Sequence, residues 1–63
     1  METNLKKARM LAGISQSELA KLSGVSIKTI QAYESGARDI NKASVSTATD
    51  LANALLCEIK DIL

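Results

Sequence analysis

Apolar side chains recur along this chain in steps of three and four and never alternate over a long run, which is the spacing of short amphipathic helices rather than strands. Leu5, Ala8, Leu11 and Ala12 share one face of a first helix, about Asn4 to Ala12, capped by Thr3 or Asn4. Gly13 ends it, and Ile14 is placed to pack under the next cap as a hydrophobic staple. Ser15 and Glu18 have the spacing of a capping box, and Leu19, Ala20 and Leu22 give a second helix, about Gln16 to Ser23, its apolar face. Gly24 breaks that helix, and Ser26 offers a hydroxyl to cap a third, about Ile27 to Ser35, with Ile30 and Tyr33 pointing inward. Beyond the Ala37–Lys42 loop, Ile40, Val45, Ala48, Leu51, Ala52 and Leu55 predict a fourth helix. It is capped by Asn41 or Ser44, runs to about Leu56, and turns Thr47, Thr49, Asp50 and Asn53 toward water. Glu58 to Leu63 predicts a short fifth helix, too rich in apolar residues for all of Ile59, Ile62 and Leu63 to face inward. The expectation is an all-α, five-helix fold forming a single domain over residues 1–63.

The second and third predicted helices are joined by a short turn containing glycine, with small Ala20 allowing a close crossing and Val25 plugging the turn. Helix, tight turn, helix is the unit that holds its second helix in the major groove of DNA. At about 100° per residue, Lys28, Gln31, Ala32 and Ser35 fall on the side of the third helix away from Ile30 and Tyr33, and Ile27 borders that side.

Composition narrows the class. Sixty-three residues make one small domain; with no Pro, Phe or Trp and one Tyr, the core has to be aliphatic. No run approaches the ~20 apolar residues that span a bilayer, and no charged-then-apolar leader is present, so a cytoplasmic, nucleoid-associated protein without membrane contact is expected. The lone Cys57 excludes an internal disulfide, fits a reducing compartment, and reads as an apolar packing residue without the basic neighbour a redox switch needs. With no His, one Cys, no carboxylates paired in a recognisable pocket and no phosphate-cradling glycine loop, neither an enzyme, a metal site nor a cofactor is expected. Net charge is only +1, but residues 1–38 carry six basic against three acidic side chains and residues 39–63 two against four. The half with the predicted unit is basic, which suits a phosphate backbone.

Arg9, the run Ser15–Ser26 (SQSELAKLSGVS), Ile30, Tyr33-Glu34-Ser35-Gly36, LANALL from Leu51 to Leu56 and the terminal EIKDIL together resemble the Cro/repressor-type (XRE-like) helix-turn-helix domains of bacteria and phages, over nearly the whole chain. The resemblance implies a compact lambda-repressor-like fold. Bases would be read from the first two positions of the third helix and from those one turn on: here Ile27, Lys28, Gln31 and Ala32. Lys28 could donate to guanine O6 and N7, Gln31 could bond adenine or a phosphate, and Ile27 could touch a thymine methyl, although packing on the second helix accounts for Ile27 nearly as well. Ile27 and Ala32 make no hydrogen bonds, so readout of DNA shape would add to direct readout. Phosphate contacts are expected from Gln16, where the free amides and dipole of the second helix also favour an anion, and from Ser26, Thr29 and Arg38. Lys6, Lys7 and Lys42 are weaker candidates that read as plain surface lysines.

Similar domains pair an arginine at Arg9 with the glutamate corresponding to Glu34, tying the first helix to the end of the third; a phosphate contact is the alternative for Arg9. Relatives often have Gly where Leu56 stands, which leaves the geometry of the last turn open. In similar proteins the C-terminal region pairs two subunits, so Ile59, Ile62 and Leu63 are the expected dimer interface, unless all three close a monomer's core. The implied function is a sequence-specific double-stranded DNA-binding regulator, expected to be a repressor, acting as a homodimer on a palindromic operator, with no effector domain expected after Leu63. The competing reading is a protein-interaction module, an antitoxin or a phage partner that meets a toxin or antirepressor through its C-terminal helices.

Overall fold

Every helix begins where a hydroxyl faces a free backbone amide. In the computed structural model, which describes residues 2–63, α1 (Asn4–Leu11) starts at Thr3, whose Oγ1 accepts from the Lys6 amide at 3.3 Å. α2 (Gln16–Ser23) starts at Ser15, whose Oγ accepts from the Glu18 amide at 3.0 Å while Glu18 Oε1 accepts from the Ser15 amide at 3.2 Å, a complete capping box. Ser26 caps α3 (Ile27–Ser35) through the Thr29 amide at 3.2 Å, and Ser44 caps α4 (Val45–Ala54) through the Thr47 amide at 3.1 Å. Each bond satisfies an amide the helix leaves unpaired and contributes about 1 kcal/mol. The described residues contain these four α-helices, 3-10 turns at Ile40–Lys42 and Ile59–Asp61, and no strand.

The core takes one fully buried side chain from each packing element: Leu5 of α1, Leu19 of α2, Ile30 of α3, Leu51 of α4, and Ile62 just after the last 3-10 turn. Tyr33, Ile40, Ala52 and Leu55 complete it, and Ile14 and Val25 pack against it from the two inter-helix connections. α2 lies against both α3 and α4, α1 against α3, and the last 3-10 turn bridges α4 and α1. α3 is thereby held on its inner side only.

Several apolar positions fall outside this core. Leu22 is 64% exposed because Leu19, Ala20 and half-buried Ser23 make the inner face of α2, and Leu22 stands about 160° round the helix from Ala20. Leu11, 90% exposed, and Ala12 lie at the far end of a helix whose inward face is Leu5, Ala8 and Arg9. Val45 opens α4, where a side chain leans past the helix start instead of over the core, and is exposed. Thr47 and Thr49 are half-buried rather than turned to water.

The predicted fifth helix is a single 3-10 turn, Ile59–Asp61, and Asn41, one of the two caps expected for the fourth helix, lies instead inside a separate 3-10 turn, Ile40–Lys42. Asp39 caps the earlier turn by accepting from the Asn41 amide at 2.9 Å, and five residues later Ser44 caps α4. Each cap holds its own backbone extended, so no single helix can contain both. At the other end of α4, Leu56 takes φ +54°, its amide donating to the Asn53 carbonyl at 3.1 Å and the Cys57 amide to the Ala52 carbonyl at 3.0 Å. This is the Schellman closure that glycine ordinarily makes, here made by leucine. It ends α4 and turns the chain into the separate 3-10 turn at Ile59–Asp61.

Candidate nucleic-acid interface

α2 and α3 are joined by Gly24-Val25-Ser26, where Gly24 takes φ +74° and half-buried Val25 anchors the turn to the core. With Ile30, Tyr33 and Glu34 buried, the free side of α3 carries Lys28, Gln31 and Ser35, all exposed. Ile27 is 38% exposed at its N-terminal border. Ala32 is half-buried, and the Ser35 hydroxyl is turned back to the Ala32 carbonyl at 3.2 Å.

At the start of α3 the hydroxyls of Ser26 and Thr29 are not equivalent. Ser26 Oγ accepts from the Thr29 amide and donates its single proton to Thr29 Oγ1 at 2.9 Å. The Thr29 hydroxyl keeps its own proton for an outside acceptor. At the other end, the Arg38 guanidinium lies over the Tyr33 ring, 5.2 Å from its centroid, and the Arg38 amide is fixed to the Ala32 carbonyl at 3.1 Å. The ring of a buried tyrosine thus steadies an exposed cation just beyond α3.

Beneath this surface sits a buried charge pair. Arg9 Nε donates to Glu34 Oε2 at 2.7 Å and Nη2 to Glu34 Oε1 at 3.0 Å, the bidentate fork of a guanidinium on a carboxylate. Arg9 Nη1 donates to the Ile14 carbonyl at 2.9 Å, so the same side chain also holds the α1–α2 connection. Hydrogen bonding to Glu34 raises the Arg9 pKa above its ordinary value, partial burial opposes this, and the charge of Glu34 adds to the rise. Thr3 Oγ1 donates to the Glu34 carbonyl at 3.3 Å, a second tie from α1 to the end of α3. Gln16, first residue of α2, donates from Nε2 to Glu34 Oε1 at 3.1 Å and accepts at Oε1 from Gln31 Nε2 at 3.4 Å. Base-reading candidate, phosphate candidate and buried ion pair are thus one connected set.

A helix-turn-helix family model matches residues 5–62. The chain belongs to the Cro/C1-type helix-turn-helix family. It is a DNA-binding regulator of that type, with double-stranded DNA as its partner, and the family is a binding rather than a catalytic one. Compared with curated proteins and with solved structures, the chain has no match in either.

The rest of this Cro/C1-type domain bears on the other candidates. Ile62 is fully buried in its own chain and has no surface to offer a second subunit, whereas Leu63 is exposed and Ile59 half-buried. Cys57 is half-buried; burial first, then the charges of Asp61 and Glu58, push its thiol pKa up, so it is a poor thiolate. Among the described residues no helix is long and apolar enough to cross a membrane, and no three His, Cys, Asp or Glu side chains are grouped to hold a metal. The links from Gln16 to Gln31 and from Tyr33 to Arg38 left no mark in the sequence pattern, because neither is a spacing within one helix.

Proposed function

We propose that the chain is a transcriptional repressor that lays α3 in the major groove of a palindromic operator, one copy on each half-site. The observation that carries this reading is the free side of α3, where Lys28 and Gln31 stand exposed between the N-terminus of α2 and the steadied Arg38. In that pose Lys28 meets guanine O6 and N7, Gln31 meets adenine, and Ile27 meets a thymine methyl, with half-buried Ala32 giving close approach rather than a bond. Thr29, Arg38 and the second Nε2 proton of Gln16 serve phosphates; Ser26 contributes by orienting Thr29. Pairing of two copies falls to Ile59 and Leu63, and repression follows from occupying the operator.

The test is selection of the purified protein on a randomised duplex pool, followed by affinity on the winner and on a scrambled duplex. Recovery of a palindrome with half-sites about 10 base pairs apart supports a dimeric regulator. Lys28→Ala should then lose about 1–3 kcal/mol on that site and relax one position in each half. An equal loss on every sequence would make Lys28 a phosphate contact instead. One observation favours a protein partner as the second reading: Leu11, Leu22 and Leu56 are all largely exposed. A winner no tighter than the scrambled duplex at physiological salt moves the function there.

A further inference from the structure

A tyrosine packed into a core ordinarily carries its hydroxyl to a partner inside the protein. Tyr33 is only 4% exposed, yet its hydroxyl bonds to none of the described residues. No side-chain oxygen or nitrogen among them is sealed from solvent without a partner. The Tyr33 hydroxyl therefore opens to the surface, at the groove of about 420 Å³ that this residue lines. The groove runs between the start of α1, the end of α3 and the last residues of the chain. Its walls are tied from inside: Asn4 Nδ2 donates to the Leu63 carbonyl at 3.0 Å, and Thr3 Oγ1 to the Glu34 carbonyl at 3.3 Å. Arg38 lines it too, held by the face of the Tyr33 ring. A ring face holds a guanidinium without using its N–H groups, and those of Arg38 donate to none of the described residues.

We infer that this groove is a phosphate-binding site, with the Arg38 guanidinium as its fork and the Tyr33 hydroxyl as a further donor. The fork matches two oxygens of a phosphate, and the hydroxyl adds a donor whose direction the buried ring fixes. The charge around the groove agrees. Glu2 faces the Lys6 ammonium at 4.0 Å, and Asp39 Oδ1 accepts from the Asn41 amide at 2.9 Å and from its Nδ2 at 3.1 Å. Lys7 and Arg38, which line the same groove, are in no ion pair among the described residues. The ligand is the phosphate oxyanion, of a DNA backbone or free in solution. With DNA as its source, the inference rests on the reading of α3 proposed above and adds a core residue, Tyr33, to the backbone contacts.

The experiment compares wild type with Tyr33→Phe, which keeps the ring beneath Arg38 and removes the hydroxyl alone, and with Arg38→Ala, which removes the fork. Circular dichroism melts establish that each is folded. In the first arm, Tyr33→Phe should bind the selected duplex and its scrambled control more weakly, by roughly tenfold per bound copy. The selected sequence and the salt slope should stay as in wild type, because a phosphate contact reads no base and a neutral donor displaces no counterion. In the second arm, inorganic phosphate is titrated into the free protein at constant ionic strength and followed by nuclear magnetic resonance. The Arg38 side-chain and Tyr33 ring signals should shift while those of exposed Lys28 stay, and either variant should weaken the response. A response in the duplex arm alone assigns the DNA backbone as the source, and one in the second arm alone assigns free phosphate. Tyr33→Phe equal to wild type in both arms overturns the inference while leaving the DNA reading intact. A Tyr33→Phe loss confined to the selected sequence overturns it as well, since the hydroxyl would then act on base reading through α3. A wild type that binds no duplex but titrates with inorganic phosphate upholds the site and removes the DNA reading.

Discussion

Leu56 is the residue whose local chemistry and position disagree most. It takes φ +54° at the end of α4 and leaves its side chain 94% exposed, so it carries left-handed strain with almost no burial in return. Leu56→Gly should therefore stabilise the domain by about 1 kcal/mol and raise the thermal midpoint by roughly 4–8 °C; an unchanged or lower midpoint would mean the exposed leucine packs on something in solution. The neighbouring Cys57 gives a second prediction. Its thiol pKa is raised, so the folded chain holds the thiol proton to higher pH than the unfolded chain does. The stability associated with the neutral thiol is complete below the ordinary thiol pKa and is lost as pH rises through the folded value. Alkylation by iodoacetamide in the native protein should accordingly rise at a higher pH than in a denatured control.

At the scale of elements, the hydroxyl caps and the ion pair do different work. The caps at Thr3, Ser15, Ser26 and Ser44 are local, and their residues were legible in the sequence, with Thr3 and Ser44 each one of two open choices. Ser15→Ala should cost about 1 kcal/mol in denaturant unfolding, as a capping box normally does. Arg9 and Glu34 join three elements, with side chains only 12% and 3% exposed. Glu34→Ala would strand a buried guanidinium and also free Gln16, so a loss of about 3–5 kcal/mol is expected, enough to unfold much of so small a domain. A loss below about 1 kcal/mol would show that water reaches Arg9 readily. The expected fifth helix is one 3-10 turn: apolar spacing alone does not register that a left-handed Leu56 redirects the chain, so that the Glu58 amide bonded to Asp61 Oδ2 at 3.0 Å caps the start of that turn only.

At the scale of the molecule, 24 × 22 × 20 Å across, the proposed DNA face has few charges. If Lys28 and Arg38 are the cations each copy brings to the duplex, a bound dimer displaces roughly four counterions, and log K should fall against log salt with a slope of about −3 to −4. Arg38→Ala should lower the magnitude of that slope by about 2 for the dimer, without changing the selected sequence.

Amphipathic spacing, hydroxyl caps and three glycines were enough, from the sequence alone, for an all-helical chain with a helix-turn-helix at its centre, because each is a property of residues a few positions apart. Which apolar residues are inside was decided by packing. Leu11, Leu22 and Val45 have the composition of core residues but stand where no other element covers them, while Ile62 is drawn wholly into the core. The connection of Gln31 to Gln16 and Glu34, and the seat of Arg38 on Tyr33, likewise exist only in the folded chain. Hydrogen bonds and ring contacts between helices depend on crossing geometry, which local periodicity does not encode.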